Sequence, residues 1–397
     1  MFENAVIVSA ARTAVGGFGG SLKTKSTVDL GTIAVQEAIK RAGIDAKEVD
    51  EAVIGCVGQY GVNAFLARLV AVKAGCDIAS SGQTVNRLCA SGLQAIVTAA
   101  MTVDHGDADV CVAGGAESMS NFPFSSSGAR WGIRMGDSVL KDDLTTALCE
   151  PFTGTSTHIA ITAENIAAKY GITREEADAY ALEGQQKARR AIDAGEFEEE
   201  IVPVEIKTKK DTFVFKTDEH PRETSMEKLA KLRPIVKADG IVTAGNASGI
   251  NDAAAAVVVM SEAKAKELGC KPLVKIVDYA VAGVDPSYMG MGPVASTQKL
   301  MEKVKDKGIT LDQIGMVELN EAFAPQAIAC IRELGLNPDI VNVNGSGISL
   351  GHPIGATGAV ISVKLIHQMK RKNIRYGLAT LCIGGGQGMS VLFENMQ

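Results

Sequence analysis

The sequence predicts an α/β fold in which one order of strands and helices occurs twice. Strand-like apolar segments alternate with helical ones, which is typical of a parallel sheet covered by helices on both faces. The 397 residues include 42 glycines and are 46% hydrophobic, as in large α/β enzymes with many tight turns. Cys89 opens a helix that leads to a glycine-ended strand, and His352 does the same near the other end, a weak internal duplication.

The first half follows this alternation from the start of the chain. Apolar patterning predicts strands over residues 5–9, 50–57, 84–85 and 109–113, and helices over 27–42, 63–74 and 91–105. Gly43 suits the end of the first helix as a C-cap, and Gly114 and Gly115 are expected to end the last strand. A further apolar strand over 253–260 completes this sheet.

Between residues 120 and 249 the composition becomes polar and irregular. Helices are predicted over 157–170 and 173–194, and a charged segment interrupted by prolines follows. A structureless loop of that length is improbable, so we expect an insertion folded over the active face. The predicted domains are residues 1–119 with 250–270, the insertion 120–249, and a second half over 271–397. In that half we expect a strand over 316–319, a helix after Asn320, a helix over 358–370 and a strand over 378–383.

Cys89 has the surroundings of a reactive thiol. Ser91 and Gly92 let the chain turn sharply, and the following helix points N–H groups and the positive end of its dipole at the sulfur. Both effects predict a lowered thiol pKa, and the thiolate is the nucleophilic form. The alternative is that Cys89 is a small buried hydrophobe.

Four short segments are expected to meet, because each lies at a strand end or a helix start, where α/β sheets place ligands. They are residues 86–94, 320–323, 351–355 and 382–388. Singly, His352 suits a polar core residue, Cys382 a packing residue and Asn320 a helix N-cap. Jointly, the four segments favour a catalytic site.

These motifs resemble those of the thiolases, and among them the short-chain, biosynthetic group. The resemblance covers essentially the whole chain and is carried by Asn320-Glu321-Ala322-Phe323, Gly351-His352-Pro353 and Cys382-x-Gly384-Gly385-Gly386, with residues 244–249 and 289–293. It implies two duplicated βαβαβαββ halves that form a five-layered α-β-α-β-α core with an inserted loop domain. It also implies reversible Claisen condensation of two acetyl-CoA to acetoacetyl-CoA and CoA by a ping-pong mechanism.

The resemblance also implies the roles of individual residues. Cys89 would be acylated and His352 would take its proton, while Cys382 would remove the α-proton of the second acetyl-CoA. Asn320 would position a water beside the enolate, and the backbone N–H groups of Cys89 and Gly384 would hold an oxyanion. The residues expected to bind substrate or CoA are His158, Arg222, Ser248, Met289, Ala322 and Phe323. Arg222, assigned to the nucleotide end, alternatively suits a solvated surface charge. No metal and no cofactor is implied, since CoA thioesters are substrates.

Composition limits the partners and the setting. The net charge of -6 and the lack of a long basic stretch argue against nucleic-acid binding, and no apolar run is long enough to span a bilayer. Eight scattered cysteines without paired spacing favour a reducing, cytoplasmic setting. By similarity we expect a homotetramer with residues 63–68 at an interface.

Several positions depart from the thiolase pattern. Ala90 stands where glycine is usual, and residues 61–66, Ile159 and residues 345–350 also differ. We expect Ala90 and Ser346 to lie close enough to alter the pocket. The competing interpretations are a broader-chain 3-ketoacyl-CoA thiolase, a β-ketoacyl synthase, and a catalytically weakened acyl-CoA-binding relative. A synthase would use a second histidine, and here Asn320 and Cys382 occupy those places.

Overall fold

A computed structural model of the chain describes residues 2, 4–152, 157–209 and 211–397. Within them the strands are β1 Ala5–Thr13, β2 Gly16–Gly17, β3 Glu51–Gly55, β4 Ser81–Val85, β5 Val110–Ser118, β6 Phe124–Ser125, β7 Lys141–Asp142, β8 Ile201–Val202, β9 Val204–Lys207, β10 Thr212–Phe215, β11 Asn251–Ser261, β12 Val274–Gly283, β13 Ile314–Leu319, β14 Tyr376–Ile383 and β15 Gln387–Asn395. Residues 153–156 and Lys210 of the predicted insertion lie outside the described residues.

The helices follow the predicted order with shifted ends. They are α1 Thr27–Ala42, α2 Leu66–Ala74, α3 Ser91–His105, α4 Asp143–Ala147, α5 Ile161–Tyr170, α6 Arg174–Asp193, α7 Met226–Ala230, α8 Glu262–Glu267, α9 Gly292–Val304, α10 Ala324–Leu334, α11 Gly347–Leu350 and α12 Thr357–Lys372. Residues 63–65, predicted as the start of one helix with α2, belong instead to a separate 3-10 turn, Gly61–Phe65. Among the described residues no helix is both long and apolar enough to cross a bilayer.

The strands of the two halves have matching orders. The first half runs β4-β3-β5-β11-β1, and the second runs β12-β15-β14-β13 on the other side of β1. Within the described strands, the ladder between β1 and β12 consists of two residue pairs, Val6 with Lys275 and Ile7 with Val274. The expectation of a parallel sheet is wrong in part. β11 is antiparallel to β1 and β5, and β15 is antiparallel to β12 and β14. β15 returns directly from β14 through a tight turn, whereas β11 is reached from β5 through residues 119–250.

Side-chain alternation along the strands produces the predicted five layers. In β11, Val257 and Val259 face one core, which holds α3 and α12, while Val258 and Met260 face another, which holds α1 and α2. The first of these cores also contains β14 and β15 side chains, so α3 and α12 lie between the two sheets. Residues of α9 and α10 cover the outer face of the second sheet.

The glycines of β5 have a different role from the one predicted. Gly114 and Gly115 do not end the strand, which continues to Ser118. A Cβ on Gly114 would lie 2.8 Å from the Ala256 Cα atom, and one on Gly115 would lie 2.8 Å from that of Ala356. These glycines therefore allow a neighbouring strand and the start of α12 to approach closely.

Candidate active site

The turn before α3 holds Cys89 with a strained residue on its N-terminal side. Leu88 has a φ of 47°, a left-handed conformation that costs a non-glycine residue about 1–2 kcal/mol. The Asn86 side chain accepts the Leu88 N–H at 2.9 Å, and the Ser91 hydroxyl donates to the Leu88 carbonyl at 2.7 Å. The sharp turn is thus made at Leu88 and supported by Ser91, whereas we expected Ser91 and Gly92 to make it.

Gly92 instead allows α3 to meet α12. A Cβ at Gly92 would lie 2.7 Å from the Ala359 backbone nitrogen, and one at Gly358 would collide with the Leu93 backbone nitrogen. The two helices therefore touch near their N-termini, so the segments that carry Cys89 and His352 lie side by side.

The predicted lowering of the Cys89 pKa is wrong. Burial raises the pKa of the Cys89 thiol to about 11, although the backbone N–H groups of Gly384 and Cys89 point at the sulfur and lower it. Desolvation of a thiolate in an apolar pocket outweighs two hydrogen bonds. The resting thiol is therefore neutral at physiological pH.

His352 lines the same cavity as Cys89 and Cys382 and is buried. Its backbone N–H donates to Asn251 Oδ1 at 2.9 Å, its Nδ1 lies 2.6 Å from Thr357 Oγ1, and its Nε2 lies 3.4 Å from Asn320 Nδ2. Burial lowers the pKa of His352 to about 4, so the imidazole is neutral. A neutral imidazole can accept a proton from a nearby thiol.

Cys382 lies at the end of β14 and is fully buried. Burial and, secondarily, the neighbouring Cys89 thiol raise the pKa of Cys382 well above its ordinary value. Two neutral thiols and a neutral imidazole thus share one desolvated site.

Glu117 holds the loop that carries His352 against the first half. One carboxylate oxygen accepts N–H groups of Val57 and Gly355, each at 2.9 Å, and the other accepts that of Gly58 at 3.1 Å. Burial raises the pKa of Glu117 to about 7, against the backbone N–H groups that lower it. Sequence reasoning missed Glu117, Asn251 and Thr357, and the one available signal was polar side chains next to the glycine-rich segments.

One cavity of about 210 Å³ is lined by most of the residues predicted to be catalytic or to bind substrate. It is lined by Cys89, His158, Ser248, Met289, Ala322, Phe323, His352, Cys382 and Gly384, with apolar side chains that include Val57, Leu88, Met119, Leu148, Ile159, Ile235 and Ile354. Asn320 does not line it but contacts His352, with Nδ2 3.4 Å from Nε2, and Asn320 is not the N-cap of α10, which is Phe323.

Arg222 and two of the unusual residues lie outside this cavity. Arg222 lines two neighbouring cavities, one of which shares Ala244 with the central cavity and the other of which contains Arg189 and Arg190. Ala90 and Ser346, expected to alter the pocket, do not line it. Ala90 is part of the core between the sheets, and the Ser346 hydroxyl donates to the Leu319 carbonyl at 3.2 Å.

This fold, with two thiols and an imidazole at the junction of its duplicated halves, is that of an acyl-transfer enzyme. Residues 5–263 match the family described as "Thiolase, N-terminal domain", and residues 270–395 match "Thiolase, C-terminal domain". The chain belongs to the thiolase family.

Individual relatives resemble the chain over nearly its whole length. It is 50% identical to an acetyl-CoA acetyltransferase of Syntrophomonas wolfei over 99% of this chain and 100% of the relative, and 50% identical to the beta-ketothiolase BktB of Cupriavidus necator over 100% of both. The crystal structure of the Bacillus anthracis acetyl-CoA acetyltransferase superimposes with a TM-score of 0.96 at 46% identity, covering 100% of this chain and 99% of that one.

Proposed function

We propose that this enzyme condenses two acetyl-CoA to acetoacetyl-CoA and CoA, reversibly, through an acetyl-Cys89 intermediate. The observation that carries this proposal is the single cavity lined by Cys89, His352, Cys382 and the Gly384 backbone. Carbon–carbon bond formation between thioesters needs an acyl carrier, a base for the α-proton and donors for oxyanions, and this set provides all three.

The first half-reaction acetylates Cys89. The pKa of the Cys89 thiol is about 11 and that of His352 about 4, so the proton stays on the sulfur in the resting enzyme. It passes to the imidazole only as the sulfur attacks the thioester carbon. The Gly384 and Cys89 N–H groups, which point at the sulfur, are placed to receive the oxyanion that forms on the adjacent carbon, each worth about 10²–10³ in rate. The leaving CoA sulfur takes the proton of Cys382, whose raised pKa keeps it protonated until then.

The second half-reaction uses the charges left by the first. The Cys382 thiolate removes an α-proton from the second acetyl-CoA, and the resulting enolate oxygen is met by the His352 imidazolium and a water held by Asn320. The enolate carbon attacks the acetyl carbon, the bond to Cys89 breaks, and the Cys89 sulfur recovers its proton from His352. The two half-reactions return every group to its starting state, and no bound cofactor or metal is required.

The surroundings of the cavity suit coenzyme A. Nδ1 of His158 accepts the Ala160 N–H at 3.2 Å, so Nε2 carries the ring proton and is a donor for the pantetheine arm, to which we also assign Ser248. Met289, Ala322 and Phe323 supply apolar contact along the same arm.

The nucleotide end is assigned to Arg222. The cavities that contain Arg222 continue outward from Ala244 to Arg189 and Arg190. These three arginines outnumber the carboxylates of Asp193 and Glu223 beside them, which gives an acidic protein a local cationic surface for phosphates.

We also propose a homotetramer in a reducing, cytoplasmic setting. The described cysteines are all free thiols. Val62 and Phe65 are each more than 60% exposed in the turn before α2, the helix that packs against the edge strand β4, and a second exposed apolar group includes Trp131 and Met135. Two separate apolar surfaces are what a tetramer of paired dimers requires.

A broader-chain 3-ketoacyl-CoA thiolase is the second candidate. Similarity to a beta-ketothiolase favours it, as does the apolar cavity wall formed by Met119, Leu148 and Ile354. Apolar walls accept additional methylenes at little cost in specificity.

The test is intact-protein mass after brief exposure to acetoacetyl-CoA without free CoA. The wild type and Cys270→Ala, a control thiol that donates to the Ala42 carbonyl away from the cavity, are expected to gain one acetyl group, and Cys89→Ala none. An unmodified wild type that still binds CoA would instead indicate an acyl-CoA-binding relative. A longer adduct formed equally fast from 3-ketohexanoyl-CoA would favour the broader-chain enzyme.

A further inference from the structure

The His352 ring is in contact with polar groups at both nitrogens. Nδ1 lies 2.6 Å from the hydroxyl oxygen of Thr357, and Nε2 lies 3.4 Å from the amide nitrogen of Asn320. All three residues are at least 95% buried, so the hydrogen-bonding partners of the ring are set by the protein. A neutral imidazole carries one ring proton, and these partners decide which nitrogen holds it.

The Thr357 hydroxyl has a second partner within its own helix. It lies 2.9 Å from the Pro353 carbonyl oxygen, the bond that threonine makes to the residue four positions before it. A hydroxyl that donates to this carbonyl has its lone pairs free for Nδ1. The same carbonyl also accepts the N–H groups of Ala356 and Thr357, and since a carbonyl oxygen has no proton to give, its 2.9 Å contact with the hydroxyl requires the hydroxyl to donate.

The hydroxyl proton therefore points at the Pro353 carbonyl, and the Thr357 oxygen can only accept from Nδ1. The Asn320 Nδ2 atom faces Nε2 at 3.4 Å, a contact too long to hold the Nε2 lone pair against another donor. The single ring proton is then on Nδ1, where the Thr357 hydroxyl accepts it.

We propose that Thr357 is a positioning residue that fixes His352 in the Nδ1–H tautomer and thereby presents the Nε2 lone pair to the Cys89 proton. This inference rests on the proposed function, in which His352 receives that proton. When the proton arrives at Nε2, the Nδ1–H bond to Thr357 is kept, so the imidazolium forms without rotation of the ring. Without the hydroxyl, an Nδ1 proton would be buried without a partner, which favours the tautomer that cannot accept the thiol proton.

The direct test is ¹⁵N NMR of resting protein labelled at histidine, with the His352 signals assigned by their loss in His352→Gln. The expected result is a protonated Nδ1 and an unprotonated Nε2. A proton on Nε2 in the wild type would overturn the proposal, whatever the activity of any variant.

The kinetic test compares three variants by the rate of acetyl-enzyme formation. Thr357→Val keeps the shape and removes the hydroxyl, and we expect acylation to slow by about 10- to 100-fold with the KM for acetoacetyl-CoA little changed. Thr357→Ser keeps the hydroxyl and is expected to restore most of the rate. Thr32→Val is the control, because it removes the same type of hydroxyl bond, 2.8 Å to the Val28 carbonyl, from α1.

Wild-type acylation in Thr357→Val would overturn the positioning role. So would equal losses in Thr357→Ser and Thr357→Val, because the hydroxyl would then not be the cause. Failure of the proposed function is a separate observation, the absence of any acetyl adduct in the wild type, and the NMR measurement does not depend on it.

Discussion

Cys89 lies between two opposing influences on its thiol. Two backbone N–H groups favour the thiolate, and the apolar surroundings favour the thiol more strongly. In the proposed reaction the thiolate is therefore made by proton transfer to His352 rather than stored in the resting protein.

The first prediction concerns the pH dependence of Cys89 alkylation. Because its pKa is raised to about 11, the thiolate fraction increases about tenfold per pH unit up to that value, whereas an ordinary cysteine levels off near pH 8.5. The rate of Cys89 modification by iodoacetamide, followed by mass spectrometry in His352→Ala to remove the internal base, is expected to keep rising from pH 7 to 10. A plateau below pH 9 would contradict the raised pKa.

The second prediction concerns Ala90. Its methyl group lies in the core between the sheets and not in the cavity. Replacing Ala90 with the glycine usual in thiolases is expected to lower the free energy of unfolding by about 1–2 kcal/mol, from lost burial and added chain entropy. Urea denaturation measures this loss. A large change in the KM for acetoacetyl-CoA would show that Ala90 shapes the site after all.

Sequence reasoning identified residues that line one cavity but not the electrostatics of that cavity. Cys89, His352 and Cys382 stand out because their types and neighbouring glycines are visible in the sequence. The pKa of Cys89 depends on burial by segments far along the chain, and the bond from Thr357 to His352 depends on how one turn folds back. Neither effect leaves a local pattern.

At the scale of elements, the contact between α3 and α12 brings the two halves of the site together. Gly358 meets the Leu93 backbone, and Gly92 meets that of Ala359, so no side chain separates the helix ends. The distance between Cys89 and His352 is therefore set by backbone packing.

The third prediction follows from this contact. Gly358→Ala would push α12 from α3, and we expect activity to fall by at least about 100-fold, since a 1 Å misplacement costs this much. Gly184→Ala in α6 is the matched control, because its Cβ would meet only the Ser349 side chain at 3.8 Å or more. Circular dichroism would establish that both variants fold, and wild-type activity in Gly358→Ala would refute the prediction.

The order of elements was predictable from periodicity, but their pairing was not. The interpretation that Gly114 and Gly115 end a strand failed because their function is to admit Ala256 and Ala356, which are distant in sequence. Residues 274–283 and 387–395 were not identified as strands, since their antiparallel pairing depends on partners far along the chain or across a tight turn.

At the scale of the whole molecule, β4 is a sheet edge beside exposed apolar side chains. It pairs only with β3 among the described strands. Val62 and Phe65, just before α2, and Ile78, between α2 and β4, are exposed. Open edges with apolar flanks associate with other chains unless they are covered.

The fourth prediction tests whether a second copy covers this edge. Multi-angle light scattering of the wild type is expected to give a mass near four times 41.5 kDa. Phe65→Glu places a charge in the apolar surface and is expected to reduce the mass, while Phe18→Glu, an exposed control on the glycine loop, is expected to leave it unchanged. A monomeric wild type would exclude the tetramer.

The position of β11 has a consequence for biosynthesis. This strand lies between β1 and β5 but follows the long insertion in the chain, so the first sheet stays split until residue 261 has left the ribosome. At ordinary elongation rates the inner edges of β1 and β5 wait unpaired for on the order of ten seconds after β5 is made. The nascent chain is thus most prone to aggregation, and most in need of a chaperone, while the insertion is being translated.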